Sequence, residues 1–344
     1  MATYYGTYGQ KVQYLASDPS DPQIGQVWYN STSAVLKVRQ EIATNAWASG
    51  GSLNSPRTAA AGSGTQTAGL TFGGSTGNPT STTGATELYN GTSWTTSPGT
   101  MPTVMYRFSG CGTQTASLGF AGYNAPYPGT WYTLTQVWNG STWSTPPANM
   151  NTTRADAVGF GTQTAAICAA GQGPISTSYA LQSATESYNG TSWTSVNSTN
   201  TARSNLGGFG VQTAAIIMGG DIYPVNPGAR YITNTESWNG TSWTNNPTGL
   251  PIGIGQMSGA GTQTAGLGFS GYDIPGARLA TTLLWNGTTW SPTSNMATAR
   301  SYAAPSGTQT LALGSGGRTP SVVSNSMVEE WTGTQSLSRT VTVT

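Results

Sequence analysis

Histidine is absent from this sequence. With it go the commonest general base and the commonest metal ligand, so histidine-dependent hydrolysis and a histidine-ligated metal centre are closed to the chain. Charge is scarce as well. Only 7% of residues are charged, 12 basic and 11 acidic, against about 25% in an ordinary soluble domain. A net charge of +1 with no basic run gives no electrostatic footing for nucleic acid or an anionic membrane surface. No stretch reaches the roughly 18 consecutive apolar residues of a bilayer span. The opening MATYYGTYGQKVQYLASDP has no apolar core of a secretion signal. The two cysteines, Cys111 and Cys168, fall in apolar strand contexts and read as buried free thiols rather than a disulfide. Phosphate loops, Cys/His metal spacings and nucleophile elbows are also missing. No cofactor is expected.

What fills the chain is repetition. TELYNGTSWT begins at Thr86, TQVWNGSTWS at Thr135, TESYNGTSWT at Thr185, TESWNGTSWT at Thr235 and TLLWNGTTWS at Thr282. A second phrase, GTQT or GVQT, runs in step from Gly64, Gly112, Gly161, Gly210, Gly261 and Gly307, at intervals of 48, 49, 49, 51 and 46 residues. A period near 50 with strand-like content is a propeller signal. Within the unit from Arg154 to Trp193, RADAVGFG, AAICAAG, ATESY and TSWT read as four strands of an antiparallel blade. GTQT is the first turn and NG the last, the latter expected as a two-residue hairpin with φ > 0 at both positions. The same NG letters spell glycosylation sequons at Asn90, Asn139, Asn189, Asn239 and Asn286, which we read as turn chemistry. Small residues crowd the second strand, where blades would approach an axis, and the Trp and Tyr of the last two strands would fill the wider space outside.

The order Arg, turn, apolar strand ending in Gly-Gly, variable loop, Glu-x-Tyr/Trp, turn, Trp resembles the kelch repeat, over about residues 45–335. The sixth copy, MVEEWTG, lacks the NG turn and the following TSW. The segment NAWASGGSLNSPR supplies an orphan last strand, with Trp47 ten residues before Arg57, as Trp193 precedes Arg203 and Trp290 precedes Arg300. The expected architecture is therefore an all-β, six-bladed kelch-like β-propeller closed by pairing of the strand at Trp47 with Glu329–Trp331, which removes two sheet edges.

Arg57, Arg154, Arg203 and Arg300 stand seven residues before the turn glycine, with Met105 and Ile254 in the other two copies. Glu87, Glu186, Glu236 and Glu329 stand two before the third-strand aromatic, with Gln136 and Leu283 in those same two copies. The joint loss predicts buried structural ion pairs within each repeat, because removing one partner costs about 3–5 kcal/mol while replacing both can be neutral. Arg107 lies two positions off this register.

In such blades the first and third connections share one face and the second shares the other with the links between repeats. The second face carries the variation: YNAPYPGTWYTL, QGPISTSYALQS, DIYPVNPGARYI and YDIPGARLATT. Recognition is expected there, with Tyr123, Tyr127, Trp131, Tyr223, Tyr231 and Tyr272 as flat apolar faces and Asp221, Arg230, Asp273 and Arg278 as polar fixing points. That mixture suits a sugar or a protein epitope; the alternative is that the loops pack on each other or on a neighbouring subunit of a homo-oligomer. Glycoside hydrolysis needs two acids about 5–9.5 Å apart, and Asp221 and Asp273 are the loop candidates; a non-enzymatic role is the expectation.

Residues 1–44 break the repeat with a polar lead and a strand–turn–strand, QVWYN-STS-AVLKV, and residues 336–344 form a terminal strand or tail. This lead, with the GTQT and NGTSW arrays, resembles virion appendage proteins of tailed bacteriophages. The resemblance implies attachment to other virion proteins through residues 1–44 and a tail-fibre or adhesin role at a host surface glycan or protein. A capsid or tail decoration without receptor binding, and a secreted bacterial lectin, are the alternatives.

Overall fold

The computed structural model describes residues 12–42, 44–77, 81–124, 129–175, 178–223, 230–274 and 276–341. Among these the chain is all β, with thirty strands and no helix. It divides into two compact units, Ala46–Trp331 and a smaller one made of Met1–Asn45 with Thr332–Thr344.

In the larger unit each repeat folds as a four-stranded antiparallel sheet in simple sequence order, a propeller-like arrangement. The first is Ala61–Gly64, Gly69–Phe72, Thr86–Tyr89 and Trp94–Thr96, and the fourth is Gly207–Val211, Ala214–Met218, Thr235–Trp238 and Trp243–Asn245. The sixth takes Ala304–Gly307, Leu311–Ser315 and Val328–Thr332 from the end of the repeats and Ala46–Ser49 from their beginning. Trp47 there packs on Trp331, ring centroids 5.6 Å apart, as Trp290 packs on Trp285 at 5.1 Å. The variable loop of the third repeat folds into its own ribbon, Gln172–Ile175 with Ser178–Leu181.

First strands lie against first strands of adjacent repeats, and their small residues make that approach possible. A Cβ added at Gly62 would meet the Pro305 carbonyl oxygen at 2.3 Å, and one at Gly259 the Gly208 oxygen at 2.7 Å. All six first strands line one central cavity of about 240 Å³. Third-strand tryptophans Trp138, Trp238, Trp285 and Trp331 are buried between sheets.

Two turn residues do more than shape their own hairpins. Tyr89 pairs with Trp94 across a four-residue connection, and of Asn90 and Gly91 only the glycine has positive φ, 93°. This corrects the expected two-residue NG turn. The asparagine recurs because its side-chain oxygen accepts N–H groups two and three residues on, Thr92 at 3.0 Å and Ser93 at 2.9 Å, an Asx turn. The glutamine of GTQT reaches back to the preceding repeat: Gln114 donates to the Gly69 and Tyr89 carbonyls. Gln66 donates to Ala312 and Trp331 of the sixth repeat.

In the smaller unit Val27–Asn30 and Val35–Ile42 form the expected hairpin. Gln13–Leu15 adds in parallel to the first of these, and Gln335–Thr340 pairs antiparallel with the second. Asp18 ties the sheet together: its carboxylate accepts from Trp28 Nε1 at 3.0 Å, Asn30 Nδ2 at 2.7 Å and Lys37 Nζ at 2.6 Å.

Candidate functional site

Each repeat enters its first strand through a residue in the left-handed region: Ala59, Arg107, Asp156, Asn205, Gln256 and Tyr302, with φ between 49° and 56°. That conformation costs a non-glycine residue about 1–2 kcal/mol, so something must hold it. The backbone N–H of each donates to the carbonyl of the equivalent residue one repeat earlier. Arg107 bonds Ala59, Asp156 bonds Arg107, Asn205 bonds Asp156, Gln256 bonds Asn205 and Tyr302 bonds Gln256, at 2.6–3.2 Å. Ala59 bonds Tyr302 at 3.4 Å. The result is a cycle of six hydrogen bonds at the variable-loop end of the central cavity.

The side chains on this cycle form a polar cluster. Arg107 pairs with the buried carboxylate of Asp156 at 3.1 Å, which also accepts from Gln172 Nε2 at 2.9 Å. The Arg107 guanidinium lies over the Tyr106 and Tyr302 rings, 5.6 and 5.3 Å from their centroids, a cation–π arrangement. The Tyr302 hydroxyl donates to Asn205 Oδ1. Burial pushes the Asp156 carboxyl above the ordinary carboxylate range, against the pull of Arg107. Burial likewise holds the Tyr302 hydroxyl in its protonated form. Ala59 is the one small member, and beside it a pocket of about 50 Å³ opens between Thr58, Tyr106, Arg107, Tyr302 and Arg318. This position differs in every copy of an otherwise repetitive stretch, and that variability was the available sequence signal; only Arg107 had stood out.

The expected ion pairs form within their repeats. Arg57 pairs with Glu87, Arg154 with Glu186, Arg203 with Glu236 and Arg300 with Glu329, all buried. Each arginine also donates through Nη1 to two carbonyls, as Arg203 does to Gly219 at 2.9 Å and Asn234 at 3.0 Å. Each glutamate accepts two backbone N–H groups of the link between repeats, as Glu236 does from Asn200 and Thr201. In the second repeat Gln136 grips that link through both the N–H and the carbonyl of Thr103, while Met105 is buried beside it without polar demand. In the fifth, Ile254 and Leu283 pack in one apolar cluster.

The residues proposed for recognition divide. Tyr123 is buried, 4% exposed, stacked on Trp131 at 4.8 Å with its hydroxyl 2.6 Å from that of Tyr106. Its ring is therefore occupied by packing and does not face a ligand. Trp131 is half-buried on the same cluster, and Tyr127 lies outside the described residues. Asp221 is buried and ion-paired with Arg230 at 2.8 Å. Arg230 also lies over Tyr223 and Tyr231, at 5.5 and 5.3 Å. Tyr223 is 42% exposed and available. Tyr272 meets Tyr231 edge-on at 6.0 Å and carries Arg278 at 5.4 Å. Asp273 closes its own loop by accepting from Ala277 N at 2.8 Å. Both loop aspartates are thus engaged by their own surroundings. Arg278, Tyr272, Tyr231, Arg230 and Tyr223 form one run of guanidinium and aromatic contacts.

Comparison with known proteins finds no family model and no curated protein that matches this chain.

Proposed function

We propose that Ala46–Trp331 is a six-bladed propeller of the kelch type, closed by the strand Ala46–Ser49. In this reading it is a non-enzymatic binding module of a tailed-phage virion that meets the host surface through its variable-loop face. Closure is supported by the contacts between the sixth and first repeats, which copy those between the others. The Gly317 N–H donates to the Arg57 carbonyl at 2.8 Å as that of Gly220 donates to Ile254 at 2.9 Å, and Ala59 and Gln66 complete the set.

The observation that carries the functional reading is the asymmetry of the two faces. One bears near-identical short turns; the other bears the arginine–tyrosine run, the exposed Tyr223 and a pocket over a rigid hydrogen-bonded cycle. Rigid scaffolds place recognition on variable loops, and aromatic and arginine side chains dominate binding energy. Residues 1–44 then serve as the attachment segment, because they stand outside the repeats and contain the polar lead. The test is binding of the full chain to a surface-glycan array and to host cells. Tyr223→Ala and Trp131→Ala should weaken binding, and substitutions in the opposite turns such as Thr241→Ala should not. Binding that tracks the NG turns instead, or none to any surface, overturns this reading.

A further inference from the structure

Between residues 46 and 331 the chain holds eight arginines and eight carboxylates. Six of the arginines are ion-paired. The two carboxylates left over are also engaged, Asp273 by its own loop and Glu330 by the Tyr89 hydroxyl. Arg278 and Arg318 are left without a carboxylate among the described residues, and they are neighbours. Burial, and after it the charge of Arg318, holds Arg278 below the ordinary guanidinium range. Arg278 Nε is buried with no hydrogen-bond partner. Two guanidiniums that feel each other's charge and have no carboxylate, in a chain with so little charge, are an unbalanced arrangement, which an anion would balance.

Arg318 is exposed and lines the pocket beside Ala59. Thr58 lines the same pocket; it is 7% exposed and its hydroxyl has no partner. A buried hydroxyl without a partner is unfavourable, and a ligand oxygen in this pocket would satisfy it. At about 50 Å³ the space takes a small polar group such as a carboxylate, since about 10–15 Å³ on the same measure holds one water. We infer that this pocket, with Arg318 in its wall, binds the carboxylate of an acidic sugar, a uronic acid residue of a surface polysaccharide. Arg318 supplies the charge and the Thr58 hydroxyl a hydrogen bond. An acidic peptide fits less well. The flanking backbone is already bridged, Thr58 to Ser75 and Ser301 to Arg318, so these residues are not free for strand addition.

This inference rests on the variable-loop face being the recognising one. The full chain is titrated with trigalacturonate, maltotriose, triglutamate and sodium acetate at low and high salt. Trigalacturonate should bind about tenfold or more tighter than maltotriose and weaken with salt, as a charge-assisted contact requires. Arg318→Gln should weaken it by about tenfold. Ala59→Gln, which copies Gln256 into the pocket, should do the same without lowering Tm. Equal affinity for triglutamate assigns the site to acidic peptides and overturns the sugar reading. Trigalacturonate binding that ignores both variants, or no binding by the unaltered chain, also overturns it. If host-cell binding sensitive to Tyr223→Ala persists in those cases, only the ligand class fails; if that binding is absent too, the recognition face fails with it.

Discussion

Tryptophan shows how finely one side chain is matched to its neighbour in this protein. The last-strand indoles each donate to a threonine hydroxyl at the start of the third strand one repeat earlier: Trp143 to Thr86, Trp193 to Thr135, Trp243 to Thr185, Trp290 to Thr235 and Trp47 to Thr282, at 2.8–3.1 Å. Trp94 has no such partner and its Nε1 is buried unsatisfied. The corresponding residue of the sixth repeat is Val328, packed in the same cluster, and a methyl group cannot accept. Val328→Thr is nearly isosteric and should stabilise the protein by about 1 kcal/mol or more, the usual cost of an orphaned buried donor. Thr135→Val, which recreates the defect beside Trp193, should destabilise by a similar amount. Urea unfolding monitored by fluorescence measures both, and a Val328→Thr variant no more stable than the parent refutes the assignment. The buried ion pairs allow a second test on the same instrument. Arg154→Met leaves Glu186 charged and unpaired and should cost about 3–5 kcal/mol. Adding Glu186→Gln reproduces the Met105–Gln136 pair and should recover much of the loss, because Gln136 still grips the link before its strand. Additive losses in the cycle would exclude this coupling.

Elements differ in how plainly the sequence announces them. The all-β repeats were legible because glycine-bounded turns and alternating strands recur at nearly fixed spacing, and each Arg–Glu partnership because its members disappear together. The functions of Asn90 and Gln66 were not legible. A recurring polar turn residue looks the same whether its side chain caps its own turn or crosses to the next sheet. The left-handed cycle was hidden for a similar reason, since Ala59, Arg107, Asp156, Asn205, Gln256 and Tyr302 share a backbone state and no chemistry. The burial of Tyr123 is not legible in the sequence, because a loop aromatic stacked on Trp131 and an exposed one read alike. The N-terminal sheet shows its dependence on one residue only in three dimensions. Hydrogen bonds from Lys37, Asn30 and Trp28 hold the Asp18 carboxyl near about 2, below its ordinary 3.8. A depressed carboxylate pKa contributes stability that is fully present above the unfolded value and is lost as pH falls through the folded one. The sheet should therefore loosen between about pH 4 and pH 2, reported by a change in Trp28 emission. Asp18→Asn should abolish that transition while leaving any others in place, and an unchanged acid profile in the variant removes Asp18 from the account.

At the scale of the whole molecule, the proposed function gives stability and assembly to different parts of the chain. The contacts joining the sixth repeat to the first span nearly the full sequence: Gln66 reaches Trp331, and Ala46–Ser49 lies beside Val328–Thr332. Such long-range contacts carry the highest loop-closure entropy, so they form only when the intervening repeats are in place. The smaller unit draws on both termini, with Gln335–Thr340 paired to Val35–Ile42. Removing residues 1–44 alone would leave that last strand without its partner, an exposed edge that invites association. The informative fragment is therefore 46–331, trimmed at both ends. It should be monomeric, unfold in one cooperative transition and keep the sugar and cell binding of the full chain, yet fail to join particles. Starting the fragment at Gly51 instead deletes Ala46–Ser49, strips Trp331 of its Trp47 contact and frees the edge of the sixth sheet. That fragment should lose stability and self-associate, as light scattering against protein concentration would report. Equal stability of the two fragments would mean that Ala46–Ser49 contributes nothing to the fold. Particle incorporation of 46–331 would move the attachment surface from the N-terminal segment onto the repeats themselves.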